Sequence, residues 1–152
     1  MDASVRAKAL ARLLALGCVD PRDVVAWVYT LIVEAHVPHE FLIDAALSET
    51  RRGELITALE KFAATTRPGD ASGVWSAVLG GLHAWLLKHP DDGPRIAQAL
   101  YEMAVAGEYP DSDAEGEMYT WDDQYELAVT GVYGARDEVD ANLRTFLARY
   151  AA

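Results

Sequence analysis

D-P-R-D-V-V-A-W-V-Y-T-L-I-V-E-A, residues 20–35, is the stretch on which the fold class turns. Its valines, threonine and isoleucine would suit a strand, because β-branched side chains are stiff and pack well on a pleated surface. Its start and its length favour a helix. Asp20 can cap the first free backbone N–H groups, Pro21 fits the first turn, and Asp23 faces the positive end of the helix dipole. Val24, Val28, Leu31 and Ala35 then recur at i, i+4, i+7 and i+11, the period of one helical face. Val25, Trp27 and Ile32 widen that face until the segment is apolar nearly all round, which predicts a helix central in the core.

Helical signals continue on both sides. Residues 4–16 carry Val5, Ala9, Leu13 and Leu16 at helical spacing, with Gly17 as a left-handed stop. Pro38 ends the segment quoted above and opens the next, through Phe41, Leu42, Ala45 and Leu47. Residues 51–64 turn Leu55, Ile56, Leu59 and Phe62 inward, and T-T-R-P-G-D at 65–70 reads as a loop. Val74, Val78, Leu82, Trp85 and Leu86 belong to the cleanest 3.6-residue stripe, closed by Pro90 with Lys88 and His89 at its negative end. D-G-P at 92–94 starts a helix with Ile96, Leu100 and Met103 inward and Gly107 as its stop. Thr120 with Asp123 resembles a capping box. A last helix over residues 136–150 presents Val139, Leu143, Phe146 and Leu147. No stretch alternates with period two between hairpin turns. The prediction is an all-α fold: a single compact domain of about seven or eight short helices, with an acidic loop at about 108–119.

Composition narrows the function. The chain has 152 residues, 51% hydrophobic and 24% charged, enough apolar content for a packed core and too much for a disordered chain. The longest apolar run, residues 24–33, is half of the ~20 residues a bilayer span needs. No export signal opens the sequence, and Cys18 is the lone cysteine, so the expected home is a reducing cytoplasm. Twenty-four acidic side chains stand against 13 basic ones, a net charge of −11. Such a chain repels nucleic acid and anionic membrane and attracts a basic partner.

The charge is concentrated. Residues 96–135 hold no Lys or Arg and nine acids: Glu102, Glu108, Asp111, Asp113, Glu115, Glu117, Asp122, Asp123 and Glu126. Two readings of this stretch compete. D-S-D-A-E-G-E-M-Y-T-W-D, residues 111–122, places acids at positions 1, 3, 5 and 12 and glycine at 6, the skeleton of a calcium-binding EF-hand loop. Asp111, Asp113, Glu115 and Asp122 would be the ligands, with the Glu117 carbonyl. Against it, position 12 is the shorter Asp, position 5 a long Glu, and Pro110 breaks the entering helix. In the other reading the same stretch is a docking surface. Glu108, Asp111, Asp113, Glu115, Glu117, Asp122, Asp123 and Glu126 steer a basic partner, and Tyr109, Tyr119 and Trp121 anchor it.

Nothing else resembles an active site, and no metal or cofactor is expected. His36 and His39 flank Pro38, which breaks the helix that would align them, and no third ligand is near. They are expected to satisfy carbonyls at a helix end. Cys18 follows a helix stop, no serine has a nucleophile-elbow context, and there is no phosphate-cradling glycine loop. Arg51-Arg52 is a lone basic pair between Glu49 and Glu54.

L-G-C-V-D-P-R-D-V-V-A-W (16–27), F-L-I-D-A-A-L (41–47), the 75–85 helix and L-Y-E-M-A-V-A-G-E-Y-P-D (100–111) together resemble a family of small uncharacterised helical bacterial proteins. That family is similar to the immunity proteins that neutralise polymorphic or contact-dependent toxins. The likeness rests on helix starts and aromatic placement and stops at Asp111, so it implies no binding residues. What it implies is a non-enzymatic cytoplasmic protein whose partner is a cognate toxin domain. A toxin nuclease is usually basic, since it must hold phosphates, which agrees with the charge.

Overall fold

The computed structural model describes residues 2–65, 71–131 and 134–151, and every regular element among them is helical. There are nine α-helices and one 3-10 turn among the described residues. None of the helices is long and apolar enough to cross a membrane. The chain packs as two units, residues 1–74 and 75–152.

The first unit holds α1 (Ala3–Leu16), α2 (Pro21–Glu34), α3 (Glu40–Ala46) and α4 (Arg52–Ala64). Each boundary has a local cause. Asp2 caps α1 by accepting from the Ser4 N–H at 2.7 Å, and Gly17, at φ 71°, ends it in the left-handed region. Arg52 reaches from α4 to donate to the Ala15 carbonyl at 3.0 Å, satisfying a group that the end of α1 leaves open. Asp20 caps α2 as its sequence requires, accepting from the Arg22 N–H at 2.9 Å. His39 does not serve carbonyls: its Nδ1 accepts from the Phe41 N–H and opens α3. The T-T-R-P-G-D loop lies, after Thr65, outside the described residues.

Leu14, Val28, Leu42, Leu55 and Leu59 form the heart of this unit's core, where α1 and α3 both lie on α4. The central position expected of α2 is not found. It buries Val24, Val25 and Val28, while Tyr29 is 51% and Val33 82% exposed. A helix apolar all round carries no signal of which side its neighbours will cover, and here α2 lies at the edge of its unit's core.

In the second unit, α5 (Ala71–Lys88, shared with the first unit up to Val74) leads to a 3-10 turn (Pro90–Asp92). There follow α6 (Gly93–Val105), α7 (Ser112–Met118), α8 (Trp121–Val129) and α9 (Arg136–Ala148). Asp92 fixes the α5–α6 corner: it accepts from the Trp85 indole at 2.7 Å and pairs with Arg95 at 2.8 Å. The His89 ring stacks on Trp85 with centroids 3.7 Å apart. α6 packs against both α7 and α8, and α8 against α9. Leu82, Ile96, Leu100, Met118, Leu143 and Phe146 are fully buried. Two close approaches depend on a missing side chain. A Cβ on Gly80 would lie 2.6 Å from the Tyr150 carbonyl oxygen, and one on Gly93 would overlap the Tyr125 hydroxyl, which donates to Asp140.

Residues 108–119, expected as one loop, contain α7. Asp111 caps it, accepting from the Ala114 N–H at 2.8 Å, and Asp113 and Glu115 occupy its first turn, where carboxylates favour a helix. Ala114 and Met118, four residues apart, point into the core. The loop is only the bend at residues 106–111, where Gly107 takes φ 78°. Thr120 does not form the expected capping box; its hydroxyl donates back to the Glu117 carbonyl at 2.7 Å.

Candidate binding surface

The calcium-loop reading of residues 111–122 does not survive the geometry. An EF-hand loop gathers alternate residues around one point, whereas residues two apart on a helix face different ways. Asp111 is committed to the N-terminus of α7. Glu117 receives Arg149 in a two-oxygen contact, both distances 2.8 Å. Hydrogen bonding to Glu115, then its charge, raises the Tyr109 phenol above the ordinary tyrosine range. No cluster of three His, Cys, Asp or Glu side chains able to hold a metal ion occurs among the described residues.

The predicted docking residues divide into two groups. Trp121 and Tyr125 are core, 6% and 3% exposed, so Trp121 is withdrawn from the contact surface. Its ring lies 5.8 Å from that of Phe146, and its indole N–H is buried without a hydrogen-bond partner among the described residues. The acids remain outside. Asp111, Asp113, Asp123 and Glu126 are exposed, and Glu108, Glu115, Glu117 and Asp122 half-buried. Among the described residues, Asp113, Asp122, Asp123 and Glu126 have neither an ion pair nor a side-chain hydrogen bond. Glu117 meets a cation within salt-bridge distance, Arg149.

Tyr119 is kept at the surface and held there. Its hydroxyl donates to the Ala104 carbonyl at 3.2 Å, which fixes the ring against α6. There it meets Tyr101 edge to face, centroids 5.8 Å apart and planes at 80°. Tyr101 is 44% exposed, and Val105, one turn on, 63%. Sequence reasoning missed Tyr101 and Val105. The signal was present: they fall four residues apart and out of phase with Ile96, Leu100 and Met103, so α6 has a second apolar stripe with no core left to cover it. Tyr109, half-buried beside Glu115, adds a third tyrosine between Tyr101 and Tyr119 in the sequence.

In the first unit an open cleft of about 400 Å³ lies between α3 and α4. Its walls include Asp44, Leu47, Arg51, Glu54 and Lys61. Arg51 is already tied to Glu54 at 3.0 Å and to the Leu47 carbonyl. The hydroxyls in the cleft's walls, Ser48 and Thr57, donate to the Asp44 and Gly53 carbonyls of their own helical turns. Cys18 is buried, its thiol directed at the Leu16 carbonyl.

No protein-family model matches the chain, and neither a curated protein nor a solved structure does.

Proposed function

We propose that the protein is a non-enzymatic immunity protein that works in the cytoplasm. It would bind a basic toxin domain through α7, α8 and the outer edge of α6, and so block it. The observation that carries this reading is the set of carboxylates Asp113, Asp122, Asp123 and Glu126, without an ion pair among the described residues, in a 40-residue stretch without Lys or Arg that also carries exposed tyrosines. Like charges held together without cations cost folding stability; a basic partner turns that cost into attraction and speeds encounter. The resemblance of residues 16–111 to a family similar to immunity proteins supports the same reading. The acids would also turn away nucleic acid, so the reading places the toxin, and not its substrate, on this surface.

The test is co-expression with the toxin domain encoded beside the gene. Growth arrest by the toxin is expected to be relieved by the chain, with association slowed at least tenfold on reversing Asp113, Asp123 and Glu126 to lysine, and slowed likewise by added salt. Failure to protect, or a gene set in a metabolic operon with no toxin near it, would sink the reading.

A further inference from the structure

The tyrosine pair at the edge of α6 has the properties of a receptor for one particular kind of side chain. Both rings are accessible, at 44% for Tyr101 and 36% for Tyr119. Their mutual angle is fixed by the edge-to-face contact and by the tether from Tyr119 to the Ala104 carbonyl. A preformed aromatic surface loses little conformational freedom on binding, which is where much of the cost of association lies. Val105 extends the surface with aliphatic area. The stretch that carries it, residues 96–135, has no Lys or Arg, and Arg149 is held by Glu117. Among the described residues no Lys or Arg lies over either ring, and the stretch that carries them has only negative charges of its own.

We propose that the Tyr101–Tyr119 pair is the anchor site for an arginine of the basic protein partner, with the guanidinium laid on the tyrosine rings and Val105 against its methylene stem. The inference rests on the partner being a basic protein, as argued above, and adds which side chain is read and where. Arginine fits better than lysine because its guanidinium is planar, stacks on an aromatic face and is weakly hydrated, whereas an ammonium keeps its water. The surrounding carboxylates act at longer range and bring the cation in. The rings then decide which cation stays.

The test needs no toxin. Two short synthetic peptides of the same sequence, one with arginines and the other with lysines at the basic positions, are titrated against the full chain by calorimetry, with the tyrosine side-chain resonances followed by NMR. The arginine peptide is expected to bind roughly two- to fivefold more tightly, the gain of one cation–π contact at an exposed site. The Tyr101 and Tyr119 ring signals should shift. Tyr101→Leu, which keeps apolar bulk, should abolish the arginine preference, and Tyr101→Phe should keep it; unchanged helical circular dichroism would show that both variants fold. Equal affinity for the two peptides, unshifted tyrosine signals, or a preference that persists in Tyr101→Leu would each overturn the proposal. Its failure is separable from that of the immunity reading. A toxin bound equally well by Tyr101→Leu removes the anchor and leaves the immunity function, while an arginine preference without any toxin does the reverse.

Discussion

The two units of this chain differ in charge far more than in architecture. Residues 1–74 carry eight basic and ten acidic side chains, residues 75–152 five and fourteen. Both are built of helices over apolar cores, the second with Trp121, Tyr125 and Phe146 among its aliphatic side chains. The near-neutral unit exposes uncharged surface on α2, with Tyr29 and Val33; the acidic unit exposes carboxylates and a tethered tyrosine pair. The difference teaches that surface charge here is independent of how the core is made. The acids of α7 and α8 sit on the outer faces of helices whose inner faces, at Ala114, Met118, Trp121 and Tyr125, are ordinary core.

That separation can be broken most severely from inside. Trp121→Ala is expected to cost about 3–5 kcal/mol of unfolding free energy, the range for emptying a buried aromatic site. Trp121→Phe should cost much less, because it also removes the buried N–H that has no partner among the described residues. Denaturant titration of both variants checks the pair, and equal losses would show that the indole nitrogen has no energetic part. Next in size, Gly93→Ala should destabilise by about 1–3 kcal/mol through overpacking against Tyr125. A melting curve that does not move would mean that α6 can retreat from α8.

Removing the α7 cap by Asp111→Ala should cost about 1 kcal/mol, typical of a capping aspartate. That variant sharpens the comparison, since Asp113→Ala, one residue into the helix and without a partner, should stay within about 0.5 kcal/mol. Acid titration gives a further check on the α5–α6 corner. Hydrogen bonds from Arg95 and then Trp85 hold the Asp92 carboxyl below its ordinary value of 3.8. A carboxyl depressed in the folded state contributes stability that is complete above the unfolded value and is lost as pH falls through the folded one. Stability should therefore decline below about pH 4, and Asp92→Asn should flatten that part of the profile. The smallest effect is expected at α2. Val33→Ser, at an 82% exposed position, should change stability by no more than about 0.5 kcal/mol; a larger loss, seen in the melting curve, would mean that this face is covered in solution.

Much of the fold was legible because a start or stop signal agrees with a stripe in α1, α2, α5 and α6, and because the stripe alone is regular in α9. Where they did not agree, the reading failed. α7 is only seven residues long, and Gly116 and four polar or acidic neighbours leave it just two inward side chains, too few to show a period. Its signal was the cap instead: Asp111 followed by Asp113 and Glu115 marks a helix start as well as a calcium loop, and only three-dimensional placement separates the two. α2 failed in the opposite way, its excess of apolar residues hiding the side left open. In the candidate site the acids lie at or near the surface, as their charge requires, and the rings were confused. Trp121 and Tyr119 have equal claim in sequence, and burial alone assigned one to the core and the other to the surface.

The carboxylates that make neither an ion pair nor a side-chain hydrogen bond among the described residues have a consequence for how such a protein can change. Asp113, Asp122, Asp123 and Glu126 can be exchanged without disturbing a cap, a core contact or a close helix approach, while Gly80 and Gly93 cannot. If the proposed surface is the one a partner reads, substitutions that alter recognition fall where the fold is indifferent, and those that would loosen the frame are eliminated wherever the partner stands. A lineage under pressure to follow a changing partner could rewrite the acidic surface many times over on one unaltered set of helices.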